Sequence, residues 1–139
     1  GASGLTNLAD IFDRPVARIN TIEFGIIPLG KNCLYAPKKL KYRDTKDYLH
    51  FNDARKLEIF FWFDLSKVGL EAEDNSPQDM LEATQEMLAR FENNFRYSPE
   101  QEKLVQAYNK LWSESDVLGS LSKTPIGIAW LTKNKHLYF

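Results

Sequence analysis

Two Ser-Pro dipeptides constrain the fold of this chain more than any other feature. Ser76-Pro77-Gln78-Asp79 and Ser98-Pro99-Glu100-Gln101 each place a hydroxyl at a helix N-cap, proline at the first helical position and an acidic or amide side chain three residues after the cap. Apolar residues at helical spacing follow each start: Met80, Leu81, Thr84, Met87, Leu88 and Phe91, then Leu104, Val105, Tyr108, Leu111 and Trp112. The pattern predicts two amphipathic helices that pack as a helical hairpin.

Helical and strand patterns alternate in the rest of the chain. A short helix is predicted over residues 4–13 and a strand over 16–24, where β-branched and apolar residues follow Pro15. Further elements are expected at 48–51 (extended), 52–58 (helix), 59–63 (buried aromatic run), 68–72 (strand) and 126–133 (helix). The predicted fold class is α/β, with a small parallel or mixed sheet flanked by helices and the hairpin toward the C-terminus.

Residues 25–47 are predicted to form a long functional loop. Gly25, Pro28, Gly30 and Pro37 interrupt every periodic pattern in this segment. Between residues 31 and 46 the chain carries six basic residues and one acid, a local charge of +5. Residues 64–116 carry twelve acids and five bases, a local charge of −7.

Composition excludes several classes of protein. The 139 residues fit one domain, 1–139, and the net charge of −1 gives no reason to expect nucleic acid as a partner. A single cysteine excludes a disulfide scaffold, and no apolar run approaches the roughly 18 to 20 residues that cross a bilayer. We expect a cytoplasmic location, extending to the inner face of the membrane. Because the chain begins with Gly1 and opens into a helix, a fragment or truncated product of a longer two-lobe protein is expected.

Sequence motifs of common enzymes are missing. No P-loop, GxSxG or HExxH motif is found, and neither His50 nor His136 has a partner at metal-ligand spacing. We therefore expect no metal site and no cofactor, and the sequence assigns no catalytic residue.

Three groups of residues are candidates for binding an anionic ligand. Ser3 and Gly4 start the first helix, where unpaired N–H groups can hold a phosphate; the alternative is a simple helix cap. Lys38 and Lys39 can clamp a diphosphate; the alternative is a solvated charged loop. Asn20 and Glu23 lie toward the end of the predicted strand, where ligands gather in α/β folds.

The whole chain resembles a family of bacterial glycosyltransferases from surface-polysaccharide and lipopolysaccharide gene clusters. The resemblance rests on four segments in matching order: SGLTNLADIF with RPVARIN, LGKNCLYAPKKLKYRDTKDYLHFNDA, VGLEAEDNSPQDMLEATQEML and IGIAWLTKNKHLY. Family members are longer and have a GT-B-like architecture. This chain resembles their C-terminal part.

The resemblance implies a Rossmann-like lobe that holds a nucleotide-sugar donor as substrate. Ser3, Gly4, Lys38 and Lys39 would face the donor diphosphate, and Asn20, Glu23 and Asn32 would line the donor cleft. The acceptor would be a glycan or a lipid-linked glycan. Since the acceptor lobe of the family is absent from these residues, we expect no turnover without an N-terminal lobe or a partner subunit. The alternative is a noncatalytic module that keeps the scaffold and binds a protein.

Overall fold

A computed structural model describes residues 8–9, 11–12, 14–22, 32–57, 62–113 and 124–139. The fold is mixed α/β, with two small sheets and several helices. Its strands are β1 (Val16–Thr21), β2 (Cys33–Pro37), β3 (Lys39–Tyr42) and β4 (Leu70–Glu73). Its α-helices are α1 (Phe51–Ala54), α2 (Pro77–Phe91), α3 (Pro99–Ser113) and α4 (Ile128–Asn134). Short 3-10 helices span Arg55–Leu57, Trp62–Val68 and Lys135–Leu137.

The first sheet is a parallel pair. Strand β1 runs beside β2 in a register that joins Val16 to Cys33 and Thr21 to Pro37. On the other side of β2, the Tyr35 N–H donates to Pro125 O and the Gly127 N–H donates to Tyr35 O, so residues 124–127 run alongside. Strand β2 is therefore central, and all five of its residues are buried.

The second sheet is the antiparallel β3–β4 pair. Its register places Lys39 opposite Glu73 and Lys41 opposite Glu71, so unlike charges face each other across the strands. The other face packs on a small apolar cluster: Leu40, Leu49, Ala54, Leu65 and Leu70.

The predicted loop over 25–47 is wrong over most of its described part, because β2 and β3 lie inside it. A central strand in parallel pairing is apolar throughout and shows no alternation, so Cys33–Pro37 lacks the period that identifies a strand. Pro37 ends β2 and only Lys38 separates β2 from β3, so a proline stands where the pattern would have to continue as a strand.

Both Ser-Pro helix starts are confirmed. The Asp79 N–H donates to Ser76 Oγ at 3.2 Å, and the Asp79 carboxylate accepts from the Ser76 N–H at 3.0 Å. Ser98 and Gln101 repeat this reciprocal pairing at 3.3 Å and 2.9 Å. Proline occupies the first helical position of both α2 and α3.

The predicted helical hairpin is wrong in its packing. Helices α2 and α3 each pack on α4 and make little contact with each other. The buried side chains of α2 are Ala83, Glu86 and Met87, whereas Leu81, Leu88 and Phe91 of the predicted stripe are 49%, 55% and 63% exposed. A buried carboxylate selects this face: Glu86 Oε2 accepts from the Ile128 N–H at 2.7 Å and so caps α4.

The main core lies between β2 and the helices α2, α3 and α4. Its centre is aromatic: the Tyr35 and Tyr108 hydroxyls are hydrogen-bonded, and the Tyr138 ring packs on Tyr108 and Phe51 at centroid distances of 5.2 Å and 5.4 Å. Trp130 is buried. Residues 8, 9 and 11 are helical, and β1, α1, β4 and α4 lie near their predicted positions, although β1 ends at Thr21 and not at residue 24. The extended segment predicted over 48–51 is wrong at Phe51, which begins α1; Tyr48 forms a single antiparallel bridge with Lys41. Residues 59–61 of the predicted aromatic run lie outside the described residues, as do the side chains of Trp62, Phe63 and Trp112.

Candidate functional site

The carboxyl ends of β1 and β2 meet at one edge of the parallel pair. Thr21 pairs with Pro37, and the Lys38 N–H donates to Thr21 O at 2.7 Å. Asn20 is the next residue back along β1. The structure thus brings Asn20 and Lys38, two of the residues selected from the sequence, to the edge at which α/β folds bind ligands.

Asn20 has a special backbone conformation at this edge. Its φ is +61°, in the left-handed region, and the β1–β2 register shifts between Ile19 and Thr21. Its side-chain Oδ1 accepts a 2.7 Å hydrogen bond from the Asn75 N–H. Among the described residues, the Nδ2 group of Asn20 has no hydrogen-bond acceptor. The amide is therefore held by its oxygen and keeps a donor for a ligand.

Asn75 organises the edge from beneath. Its side chain is 3% exposed, and its Nδ2 donates to Ala36 O and to Pro37 O, both at 3.1 Å. Its Oδ1 accepts from Trp130 Nε1 at 2.7 Å. One residue thus fixes the end of β2, the side chain of Asn20 and the position of α4. Asn75 was not predicted from the sequence, because its partners Asn20 and Trp130 are each 55 positions away.

Lys38 is paired with a single carboxylate. Its Nζ lies 2.5 Å from Asp74 Oδ1, and the exposed fractions of the two side chains are 27% and 68%. The Asp74 side chain has no other polar partner in the part of the chain that is described. Lys38 is accordingly a partly exposed cation at the carboxyl edge, held by a weak surface ion pair.

Lys39 belongs instead to a group of side chains on the second sheet, which we call the β3–β4 ion cluster. Its members are Lys39, Lys41, Lys46, Tyr48, Glu71 and Glu73. The Lys39 ammonium is paired with Glu73 and lies 3.4 Å from the Tyr48 hydroxyl. Partial burial acts to lower the pKa of Lys39, but Glu73 and Tyr48 outweigh it and raise that pKa. Lys39 is more firmly paired than Lys38.

Glu73 is the centre of the β3–β4 ion cluster. It accepts hydrogen bonds from Lys41 at 3.2 Å and from the Tyr48 hydroxyl at 3.0 Å, in addition to its pair with Lys39. These donors, Lys39 first, lower the pKa of Glu73 to about 2. The cluster pairs three lysines with two glutamates and joins β3 to β4.

A small cavity lies next to Lys38 and Lys39. Its volume is about 20 Å³, enough for roughly one water molecule. Its walls are mostly apolar: Leu40, Leu49, Phe51, Ala54, Trp130, Leu137 and Tyr138. The cavity does not have the volume of a sugar or a nucleotide, so a ligand of that size would have to bind on the open carboxyl edge.

Asn32 lies at the opposite edge. It immediately precedes β2, and its carbonyl accepts from the Val16 N–H at 3.1 Å, so it marks the amino ends of both strands. At a rise of about 3.3 Å per residue, Asn32 and Lys38 are roughly 20 Å apart along the sheet. The structure does not bring Asn32 together with Asn20 and Lys38. Ser3, Gly4 and Glu23 lie outside the described residues.

The described residues include no group of three or more His, Cys, Asp or Glu side chains placed to hold a metal ion. None of the helices in the described ranges combines the length and apolar character required to cross a membrane. Comparison of the chain with known proteins found no matching family model, no matching curated protein and no matching solved structure.

Proposed function

We propose that this chain is the nucleotide-sugar donor-binding lobe of a GT-B-like glycosyltransferase that acts in bacterial surface-glycan synthesis. The observation that supports the proposal most is the meeting of Asn20 and Lys38 at the carboxyl edge of the β1–β2 pair. In a Rossmann-like lobe this edge is where a nucleotide binds. The sequence resemblance supports the choice of family, and the carboxyl edge is the proposed binding site of the donor.

The two side chains have complementary chemistry for such a donor. Lys38 presents a point charge that neutralises a diphosphate, and Asn20 Nδ2 donates a hydrogen bond to a phosphate, ribose or sugar oxygen. Because Asn75 holds Asn20 by its oxygen, this donor is oriented before the ligand arrives. In the complete reaction the same positive charge would stabilise the departing nucleoside diphosphate.

Donor binding, rather than transfer, is the activity proposed for these 139 residues. Transfer in a GT-B-type enzyme takes place between two lobes, because the acceptor must be positioned and water excluded. Ser3, Gly4 and Glu23 remain sequence-based candidates for the same ligand.

The test is a calorimetric and NMR titration of the folded chain with UDP, GDP and CMP and their sugar conjugates at millimolar concentration. We expect one nucleotide to bind, with amide shifts at Asn20, Thr21 and Lys38. Lys38→Gln should weaken its binding about tenfold, the loss of one charge-assisted contact. Asn20→Gly, which keeps the positive φ and removes the amide, should also weaken it.

Lys103→Gln is the matched control, because Lys103 is an exposed lysine on α3. It should leave the affinity unchanged. If the folded chain binds none of these ligands, the donor-lobe proposal is wrong.

A second candidate function is self-association through α2. Leu81, Leu88 and Phe91 form an exposed apolar stripe with spacings of seven and three residues, and Thr84 and Gln85 between them are uncharged. In an antiparallel pairing of two α2 helices, Leu81 of one copy would lie beside Leu88 and Phe91 of the other without opposing like charges. We propose a second copy of this chain as the occupant of the stripe.

Sedimentation measurements distinguish this candidate. The chain should form a dimer, and Leu88→Lys should convert it to a monomer, whereas Gln106→Lys on the exposed face of α3 should not. A chain that remains monomeric at millimolar concentration would exclude it.

A further inference from the structure

Asp74 occupies the position at Lys38 that a ligand anion would need. Its Oδ1 lies 2.5 Å from Lys38 Nζ, so it makes the direct charge-assisted contact with the ammonium that a phosphate oxygen would make. We propose that Asp74 is an internal competitor for the anion-binding site: it neutralises Lys38 in the ligand-free chain and is displaced when a diphosphate binds. This inference rests on the proposed function.

The Lys38–Asp74 pair differs from the ion pairs of the β3–β4 ion cluster. Glu73 has three polar partners and Glu71 has two, so both are fixed between β3 and β4. Within the described ranges Asp74 has one polar partner, and its side chain is 68% exposed. A surface pair of this kind contributes little free energy and is readily broken. Of these carboxylates, Asp74 is therefore the one that a ligand can displace most easily.

The neighbouring residues keep the displacement local. Glu73, on one side of Asp74, is the last residue of β4 and belongs to the β3–β4 ion cluster. Asn75, on the other side, is buried and makes four hydrogen bonds. The backbone on both sides of Asp74 is thus held in place. Release of Lys38 requires rotation of the Asp74 side chain into solvent, and the loop itself need not move. The carboxylate then stays near the site and repels the bound anion, which lowers affinity further.

The proposal predicts that Asp74→Asn tightens anion binding. We expect the dissociation constant of the nucleotide that binds the wild type to fall about fivefold, from removal of both the competing pair and the repulsion. Inorganic pyrophosphate, used as a diphosphate probe without a base, should show the same gain. The gain should shrink as salt is raised, because salt screens exposed charges.

Two further variants make the test specific. Asp53→Asn is the matched control: it removes one exposed carboxylate that pairs with Lys56 at 3.0 Å, on α1, and changes the net charge equally. It should leave affinity unchanged. In a Lys38→Gln background, Asp74→Asn should lose most of its effect, since no cation remains to be released.

The outcomes separate this inference from the proposed function. A wild-type chain that binds a nucleotide with the same affinity as Asp74→Asn would overturn the competitor role and leave the donor lobe standing. Equal tightening by Asp74→Asn and Asp53→Asn would also overturn it, because the effect would then reflect net charge alone. If neither the wild type nor Asp74→Asn binds any nucleotide or pyrophosphate, both proposals fail.

Discussion

The indole Nε1 of Trp130 donates a 2.7 Å hydrogen bond to Oδ1 of Asn75, and both side chains are at most 3% exposed. The two residues are 55 positions apart in the sequence. Their contact joins α4 to the segment that links β4 to α2. Since Asn75 also binds the end of β2 and Asn20, the carboxyl edge depends on a residue that need not touch the ligand.

Replacing Asn75 should destabilise the protein substantially. Asn75→Ala leaves the Trp130 N–H and the carbonyls of Ala36 and Pro37 without their buried partner. We expect the free energy of unfolding to fall by about 3 kcal/mol, measured by urea denaturation. Asn75→Asp should be at least as harmful, because a carboxylate accepts from Trp130 but cannot donate to the two carbonyls.

The exposed Asn109 on α3 provides the control. Asn109→Ala should change the free energy of unfolding by no more than about 0.5 kcal/mol. A comparable effect of the two alanine variants would show that the buried amide network contributes little.

The pH dependence of stability should report on Glu86. Burial raises the pKa of its carboxyl above the ordinary value of 4.5, and Arg90 and the Ile128 N–H offset this only in part. The folded state therefore binds a proton more readily than the unfolded state. From pH 4.5 up through the raised pKa, the contribution of Glu86 to stability should decrease as pH rises.

Glu86→Gln isolates this effect. The amide oxygen can still accept from the Ile128 N–H, but the group no longer titrates. The stability of the wild type relative to Glu86→Gln should therefore fall with rising pH over that window. Arg90→Met should extend the fall to higher pH, because Arg90 is the cation that holds the charged form, at 2.6 Å. A stability difference that does not vary with pH would contradict the raised pKa.

Features set by neighbouring residues could be predicted from the sequence. The caps at Ser76 and Ser98 were found because an N-cap hydroxyl, proline and an N3 acceptor act within one turn of helix. The strand β1 was found because β-branched residues follow a proline. Asn20 and Lys38 were selected as ligand contacts, and the structure places both at one edge of the sheet.

Features set by distant residues could not be predicted in this way. The buried face of α2 is decided by Glu86, whose partner Ile128 lies 42 residues away. Leu81, Leu88 and Phe91, whose stripe was predicted to pack in a helical hairpin, are exposed instead. Strand β2 is buried because two segments flank it, which its own residues do not reveal. Asn32 is close to Lys38 in sequence but marks the other end of the strand.

The two helix caps should contribute similar stability. Ser76→Ala and Ser98→Ala each remove the oxygen that accepts from an N3 backbone N–H, at 3.2 Å and 3.3 Å. Each should lower the free energy of unfolding by about 1 kcal/mol in urea denaturation. Ser76→Asn, which keeps a neutral acceptor at the cap beside the Asp79 carboxylate, should retain more of the wild-type stability than Ser76→Ala. Equal stability of Ser76→Asn and Ser76→Ala would argue against the cap as the cause.

The effect of the β3–β4 ion cluster on the pKa of Glu73 should be measurable by titration. Its pKa of about 2 lies below the ordinary value of 4.5, so the charged form is favoured by folding. The stabilising contribution of Glu73 should be complete above pH 4.5 and should be lost as pH falls toward about 2. Carbon NMR of the side-chain carboxyl of the folded protein measures this pKa directly.

Two lysine variants test the origin of that low pKa. Lys39→Gln should raise the pKa of Glu73 most, because Lys39 is its strongest partner. Lys46→Gln removes the same charge from the same ion cluster. Because the Lys46 ammonium binds Glu71 at 3.1 Å, its loss should hardly change the pKa of Glu73. Equal shifts in the two variants would mean that the total charge of the β3–β4 ion cluster, and not the direct contact with Lys39, sets the pKa of Glu73. Tyr48→Phe should raise it by a smaller amount, since one neutral hydrogen bond is lost at 3.0 Å.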